Sequence, residues 1–266
     1  MQLCRDFQRG TCRRGSACRF LHPGAGAGAG AGAGVGAGAG RGHGHARNTQ
    51  SFEPLSRPVD LRAVLALEGP GQRIQDRFTT RDVILAPSLF ADFEPGKIYR
   101  MLVDEVETCG VPQDRLLKMW HGDSHLIADD HTHWKENAPT FSMVIARLAA
   151  SFGMDVQATR FNWYRDTGQW KPFHHDAAAV KPEKAKVQNF TVAASFGATR
   201  EAAFEHARRG TILSFPQRDG EVYAFTRDTN VIWRHGILRE PEVRPEGRIS
   251  IIAWGWVDGL QDVGKP

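Results

Sequence analysis

Cysteine is nearly absent from this chain beyond its first eighteen residues: of four in all, Cys109 alone lies further on. That excludes a disulfide framework and fits a reducing compartment. No apolar run approaches the roughly 20 residues of a membrane span, and the first residues hold no secretory apolar core. The expectation is a soluble intracellular protein with no membrane contact, in nucleus or cytoplasm, since no clear basic import run is present. Large apolar groups are also missing from residues 24–46, which are almost wholly Gly and Ala with scattered Arg and His. Such a stretch has nothing to bury, and glycine loses much backbone entropy on ordering, so it reads as a flexible tether. The chain beyond the tether lacks an excess of either charge. Residues 1–46 hold six of the 34 basic residues (Arg5, Arg9, Arg13, Arg14, Arg19 and Arg41) and one of the 30 acidic ones, Asp6, a net of +5. Residues 47–266 are left with 28 basic against 29 acidic residues, a net of −1. The basicity therefore belongs to the N-terminal arm, and its simplest partner is a polyanion such as nucleic acid.

What is there divides into three parts: a small module at 1–23, the tether at 24–46, and a body at 47–266 long enough for a sizeable core. The first module reads MQLCRDFQRGTCRRGSACRFLHP, with Cys4, Cys12, Cys18 and His22 spaced C-x7-C-x5-C-x3-H. Three thiolates and one imidazole close a tetrahedral Zn(II) site with no open position, so this metal is structural. A piece this short cannot fold on apolar burial alone and needs the metal. The segment resembles a CCCH-type zinc finger, a family whose members mostly bind single-stranded RNA. Phe7 and Phe20 stand beside cysteines, where such fingers present aromatics for stacking, and Arg13 and Arg19 suit phosphates. The alternative is that the aromatics only shield the zinc and the finger contacts protein; the charge pattern favours nucleic acid.

Residues 47–86 carry no motif. Ser88 opens a helical region interrupted at Pro95-Gly96; from Ile98 the residues Ile98, Met101, Leu102 and Val106 recur at helical spacing, and Gly110 stops them. Lys118–Trp134 is irregular and rich in His, Asp and Trp. Its His131 and His133 lack further ligands at a natural spacing, so the stretch reads as a polar lid without metal. On that lid Trp120, His121, His125 and Trp134 are placed to stack on or hydrogen-bond a base. An amphipathic helix comes next, from Ala138-Pro139-Thr140 to Gly153, with Met143, Leu148 and Phe152 as core. From Met154 the period turns to strands: DVQATRFNWYRD, then runs at 189–197, 200–207, 210–217, 220–228, 230–238 and 248–257. Many short strands behind a helical preface predict an α+β fold, an antiparallel sandwich or barrel backed by helices.

Within that frame the chemistry concentrates at FNWYRDTGQWKPFHHD (161–176) and VIWRHGILRE (231–240). His174 and Asp176 flank one residue, so on an extended chain they face one side. With His235 they make two imidazoles and one carboxylate, a three-ligand face that leaves metal positions open, as in non-haem Fe(II) oxygenases. On the late strand RISIIAWGW, alternation puts Arg248, Ser250, Ile252 and Trp254 on one face and Ile249, Ile251 and Ala253 on the other. A guanidinium on a buried strand needs an anion. A ligand carboxylate would serve through a bidentate pair, and a structural salt bridge to Glu240, Glu242 or Asp258 is the alternative.

Taken together, N-x-Y at Asn162 and Tyr164, H-x-D at His174 and Asp176, the distal HGI at His235, and R-x-S at Arg248 and Ser250 resemble the AlkB branch of the 2-oxoglutarate/Fe(II) dioxygenases. The resemblance covers about residues 85–257. It implies a double-stranded β-helix, a jelly roll of two facing sheets, with Fe(II) on His174, Asp176 and His235. It implies contacts to the 2-oxoglutarate co-substrate by Arg248 and Ser250, assisted by Asn162 and Tyr164, and a His175 that points away. One position departs: many members carry a second Arg six residues after the first, where this chain has Trp254. The activity implied is hydroxylation or demethylation of nucleic acid. A single strand spares the cost of flipping a base out of a duplex, so single-stranded RNA delivered by the finger is the expected substrate, and the tether raises its local concentration at the body. A monomer is expected. Two alternatives stay open: a protein hydroxylase or demethylase with the same iron chemistry, and a non-catalytic RNA-binding protein.

Overall fold

The structure is a computed structural model that describes residues 61–75, 77–120 and 122–261. The expected zinc ligands Cys4, Cys12, Cys18 and His22, the contacts placed on Phe7, Phe20, Arg13 and Arg19, the tether, and His121 lie outside the described residues.

Runs of β-branched, aromatic and small apolar residues form the strands β1 (Arg62–Leu65), β2 (Asp82–Ala86), β3 (Leu117–Met119), β4 (Leu126–Ala128), β5 (Met154–Tyr164) and β6 (Lys171–His174). They continue with β7 (Phe190–Gly197), β8 (Arg200–His206), β9 (Ile212–Gln217), β10 (Val222–Thr226), β11 (Trp233–Ile237) and β12 (Arg248–Val257). The helices are α1 (Lys97–Thr108), α2 (Gln113–Leu116), α3 (Pro139–Phe152), α4 (Ala177–Val180), α5 (Pro182–Ala185) and α6 (Arg227–Ile232). No described helix is long and apolar enough to cross a membrane.

One sheet runs β1-β2-β10-β7-β12-β5-β4-β3 and the second runs β6-β11-β8-β9. From β5 onward the chain steps between them: β5 large, β6 small, β7 large, β8 and β9 small, β10 large, β11 small, β12 large. Strands wound in this order around two facing sheets make a double-stranded β-helix, the expected jelly roll. Two apolar layers hold it. Between the sheets, Tyr164, Ala193, Tyr223 and Phe225 of the large one pack with Phe204, Trp233 and Ile237 of the small one. On the other face of the large sheet, Ile249, Ile251 and Ala253 of β12 meet Ile98, Leu102 and Val106 of α1 and Val144, Leu148 and Phe152 of α3. The alternation along β12 is thus the partition between these two layers.

Helix α3 ends where expected, at Gly153 with φ 59°, a left-handed C-cap suited to glycine. Its start is fixed by a residue the sequence did not single out. The buried Glu105 carboxylate of α1 accepts from the backbone N–H groups of Thr140 and Phe141, the exposed donors of a helix N-terminus.

Several expectations need correction. Residues 62–65 and 82–86, within a stretch that carries no motif, pair as parallel strands. The segment from Ser88 to Gly96 is a series of turns, and the helix begins only at Lys97. The expected lid contains β3 and β4, which extend the large sheet through β5. Residues 227–228 and 230–232, expected as the end of one strand and the start of the next, join through Thr229 as α6, because the Thr226 side chain accepts from the Thr229 N–H and caps a helical turn.

Candidate metal centre and its cavity

Two adjacent strands of the small sheet carry the imidazoles: His235 of β11 lies opposite His174 of β6. Asp176 comes two residues after His174, at the entry to α4. The ring centroids of His174 and His235 are 4.4 Å apart. Asp176 Oδ1 lies 3.8 Å from His174 Nε2 and 3.7 Å from His235 Nε2. One ligand atom from each of the three falls within 4.8 Å of the others, a spacing that bonds of about 2.0–2.2 Å to one central ion require.

Two of the three ligands, His174 and Asp176, are held from behind, whereas the buried Nδ1 of His235 has no hydrogen-bond partner among the described residues. His174 Nδ1 meets the Pro172 carbonyl at 2.9 Å; this places the proton on Nδ1 and leaves Nε2 as a donor for metal. Asp176 Oδ2 accepts from Thr191 Oγ1 at 3.1 Å and from Trp254 Nε1 at 2.9 Å, so Oδ1 alone is free to face the imidazoles. The Asp176 backbone N–H donates to Asn230 Oδ1 at 3.0 Å, while the Asn230 carbonyl lies 2.5 Å from His175 Nδ1 and turns that ring away from the ligand set. Burial pushes His235 down to about 3 and lowers His174, against the pull of Asp176, so both imidazoles stay neutral near pH 7. Burial pushes Asp176 up, but the facing imidazoles and the Trp254 and Thr191 hydrogen bonds outweigh it and hold the carboxyl below its usual range. Neutral imidazoles and an ionised carboxylate are the protonation states a metal site uses.

A cavity of about 620 Å³ opens over this set, within the roughly 300–1,000 Å³ of small-molecule sites. Its wall includes Asn162, Tyr164, Tyr223 and Ser250. Behind that wall sits Arg248, 1% exposed. Its Nε donates to Ser195 Oγ at 2.7 Å, and its carbon Cζ lies 5.2 Å from the centroid of the Tyr164 ring. Nη1 and Nη2 are buried and have no hydrogen-bond partner among the described residues. The salt bridge weighed as an alternative is not made: no carboxylate, Glu242 included, lies within 4.0 Å of the Arg248 guanidinium among the described residues. Glu240 pairs with Arg200 at 3.3 Å and with Arg244 at 3.2 Å, and Asp258 accepts from Trp256 Nε1 at 3.0 Å. Burial lowers Arg248 from its ordinary value, with Tyr164 and Tyr223 opposing. Burial pushes Tyr164 up to about 12 and raises Tyr223 as well, so both phenols stay protonated.

Other expected contacts land differently. Trp120 is 59% exposed and lines the cavity mouth. Trp134, placed on the lid by its sequence neighbours, is buried between Phe141 and Phe161 at ring distances of 5.1 and 5.3 Å and is core. His125, expected to meet a base, is 1% exposed and already stacked on Tyr164 at 4.4 Å and 13°. Its Nε2 lies 3.2 Å from Asn162 Oδ1, so it braces the two residues of the N-x-Y pair while its ring lines the cavity. Ser195, Thr191, Asn230 and Tyr223 escaped the sequence reading. Hydroxyls and amides on strands and turns carry no local signal; the pairing of β7 with β12 and β10, and the α6 turn that holds Asn230, bring them to the site.

Among known proteins, the family model described as Zinc finger C-x8-C-x5-C-x3-H type (and similar) matches residues 1–23, which agrees with the finger expected from the cysteine spacing. No curated protein matches the chain. Among solved structures, the chain is similar to the structure of OsALKBH1, with 20% identity over 38% of this chain and 49% of that one and a TM-score of 0.32. It thus spans about half the length of that protein. It is also similar to a prolyl-4-hydroxylase of Pseudomonas putida, with 12% identity over 63% of this chain and 90% of that one and a TM-score of 0.39.

Proposed function

We propose that this chain is an Fe(II)- and 2-oxoglutarate-dependent dioxygenase that hydroxylates or demethylates nucleic acid, with RNA as its substrate and the N-terminal finger as its delivery module. The observation that carries the reading is the pairing of the His174–Asp176–His235 set with Arg248, whose two terminal nitrogens are buried without a partner among the described residues. A buried guanidinium left uncompensated costs several kcal/mol. A dicarboxylic acid reaching from the metal side into the space beside Tyr164 and Tyr223 would supply the missing anion. When bound, ferrous iron and 2-oxoglutarate supply the oxidation of a C–H bond by O₂, coupled to decarboxylation of the co-substrate.

The chain's own contribution is positional. His174 and His235 offer neutral nitrogens, Asp176 offers the one oxygen its hydrogen bonds leave free, and Arg248 anchors the far carboxylate with Ser195 fixing its Nε. Tyr164 and Tyr223 close the wall and keep water from the buried charge. Nucleic acid as substrate rests on the net charge of +5 over residues 1–46 and on the match of residues 1–23 to the zinc-finger model. The test is nucleoside mass spectrometry of RNA incubated with iron, 2-oxoglutarate and either wild type or His174→Ala. The reading expects a methyl lost or a hydroxyl gained on one nucleoside with the wild type alone, matched by succinate. Turnover of a methylated peptide with unchanged RNA would assign the chemistry to protein instead, and no succinate with either substrate would end the oxygenase reading.

A further inference from the structure

The cavity wall holds two carboxylates and more than two cations, and the balance between them is informative. Of the acids, Asp123 is taken by Lys171 at 2.5 Å, and Asp176 faces the imidazoles. Two cations on the same wall, Arg160 and Lys184, make no ion pair within 4.0 Å among the described residues. Arg160 belongs to β5, whose Arg160 and Ala158 are the cross-strand partners of Ile252 and Trp254 on β12, so its side chain shares the cavity face with Trp254. There its guanidinium carbon lies 5.5 Å from the Trp254 ring centroid and 5.7 Å from that of Trp120. Two indoles hold a guanidinium through their faces and leave its N–H edge unspent. Trp254 is itself fixed by its bond to Asp176. A group bound to Arg160 therefore sits one indole away from the ligand carboxylate, beside the reacting position rather than on it.

We infer that Arg160 holds the phosphate next to the nucleotide that enters the cavity, with Trp120 as the stacking face for the neighbouring base. The inference rests on the nucleic-acid reading above and adds the residue that fixes the strand. A planar fork suits a phosphate's two oxygens, and an exposed indole beside it suits any base. Lys184 on the same wall adds a second positive charge for the backbone. A neutral or cationic substrate would find no use for this unpaired pair.

All seven tryptophans of the chain lie between residues 120 and 256, so indole emission in the full-length protein reports on the body and is silent on the finger. Titration with a mixed-sequence RNA pentamer should quench that emission. Arg160→Gln should weaken the apparent affinity about tenfold, and its plot of log affinity against log salt should flatten by about 0.7, the share of one phosphate on a single strand. Arg160→Lys should restore the salt slope but only part of the affinity. A pentamer with methylphosphonate linkages should bind the wild type about as weakly as the natural pentamer binds Arg160→Gln. Equal affinities and salt slopes for wild type and Arg160→Gln would overturn the inference, as would a neutral backbone bound as tightly as a charged one. An acidic peptide that quenches in an Arg160-dependent way while RNA does not would overturn it too. The oxygenase reading is checked separately in the wild type, by the visible absorption of anaerobic Fe(II) protein on adding 2-oxoglutarate. Its absence sinks that reading and leaves the phosphate result to stand or fall on the titrations.

Discussion

Trp254 donates its indole N–H to Asp176 Oδ2 at 2.9 Å. The bond ties the late strand β12 to the residue that ends the H-x-D run, and it decides which carboxylate oxygen is left for a metal. Trp254→Phe keeps most of the ring and removes the donor, leaving Oδ2 with Thr191 alone. Loss of such a supporting hydrogen bond weakens metal affinity by about 10–100-fold, whereas the cost to folding is about 1 kcal/mol. Metal titration and urea unfolding of the metal-free protein should therefore part company, with a large change in the first and a small one in the second. Unchanged metal affinity would show that Thr191 suffices.

The approach of β11 to β6 sets the distance between the two imidazoles. A Cβ on Gly236 would meet the Lys171 carbonyl oxygen at 2.6 Å and the Phe173 nitrogen at 3.2 Å, both backbone atoms of the neighbouring strand. Backbone cannot rotate aside as a side chain can. Gly236→Ala is expected to destabilise the fold by about 1–3 kcal/mol and to pry His235 from His174, lowering metal affinity further than Trp254→Phe does. Metal titration at a temperature where the variant is fully folded separates the two effects. Wild-type affinity in a folded variant would mean that the strands part elsewhere.

The His174–Asp176 part of the candidate set was legible because its spacing is local, a strand-end imidazole and a carboxylate two residues on at the entry to α4. His235, in contrast, lies some sixty residues away and comes opposite His174 only through strand pairing. The face of β12 was legible too, since alternation is local. The supports were not. Thr191, Ser195 and Asn230 look like ordinary polar residues until strand pairing and the α6 turn bring them to Asp176 and Arg248. Trp134 misled because a loop rich in polar residues gave no hint that its ring would pack between Phe141 of α3 and Phe161 of β5.

Arg248 offers a test of opposite signs. Its guanidinium is buried, and Nη1 and Nη2 have no partner among the described residues. Replacing a poorly compensated buried charge by an apolar side chain of similar length is neutral or stabilising, so Arg248→Met should melt at the same temperature as the wild type or above it. With 2-oxoglutarate and a metal present, the wild type should gain about 2.7 kcal/mol at a ligand concentration one hundred times Kd, and the variant should gain far less. Thermal melts with and without 2-oxoglutarate give both numbers. A variant that melts lower yet still responds to 2-oxoglutarate would mean that Arg248 is a structural residue and the anchor lies elsewhere.

His125 makes stability depend on pH, and the sign comes from its burial. Desolvation pushes it down to about 4, against the pull of Asp123, with Lys171 and Arg248 adding to the lowering and Asn162 opposing it. In the unfolded chain the imidazole takes its proton near pH 6.5. Between those values the unfolded state binds one proton more than the folded state, so the stability present above pH 6.5 is lost steadily as pH falls toward 4. The slope for this one group is about 1.4 kcal/mol per pH unit. His125→Gln removes the titration while keeping a side chain that can hydrogen-bond Asn162. It should be less stable than the wild type at pH 7.5 because the stack on Tyr164 is lost, but its stability should fall less steeply between pH 6 and 5. Urea unfolding at pH 7.5, 6.5 and 5.5, on both proteins in the same metal-free state, cancels the common contribution of His174 and His235. Parallel curves would place the protonated imidazole in the folded protein, and with it an ion pair to Asp123 strong enough to offset burial.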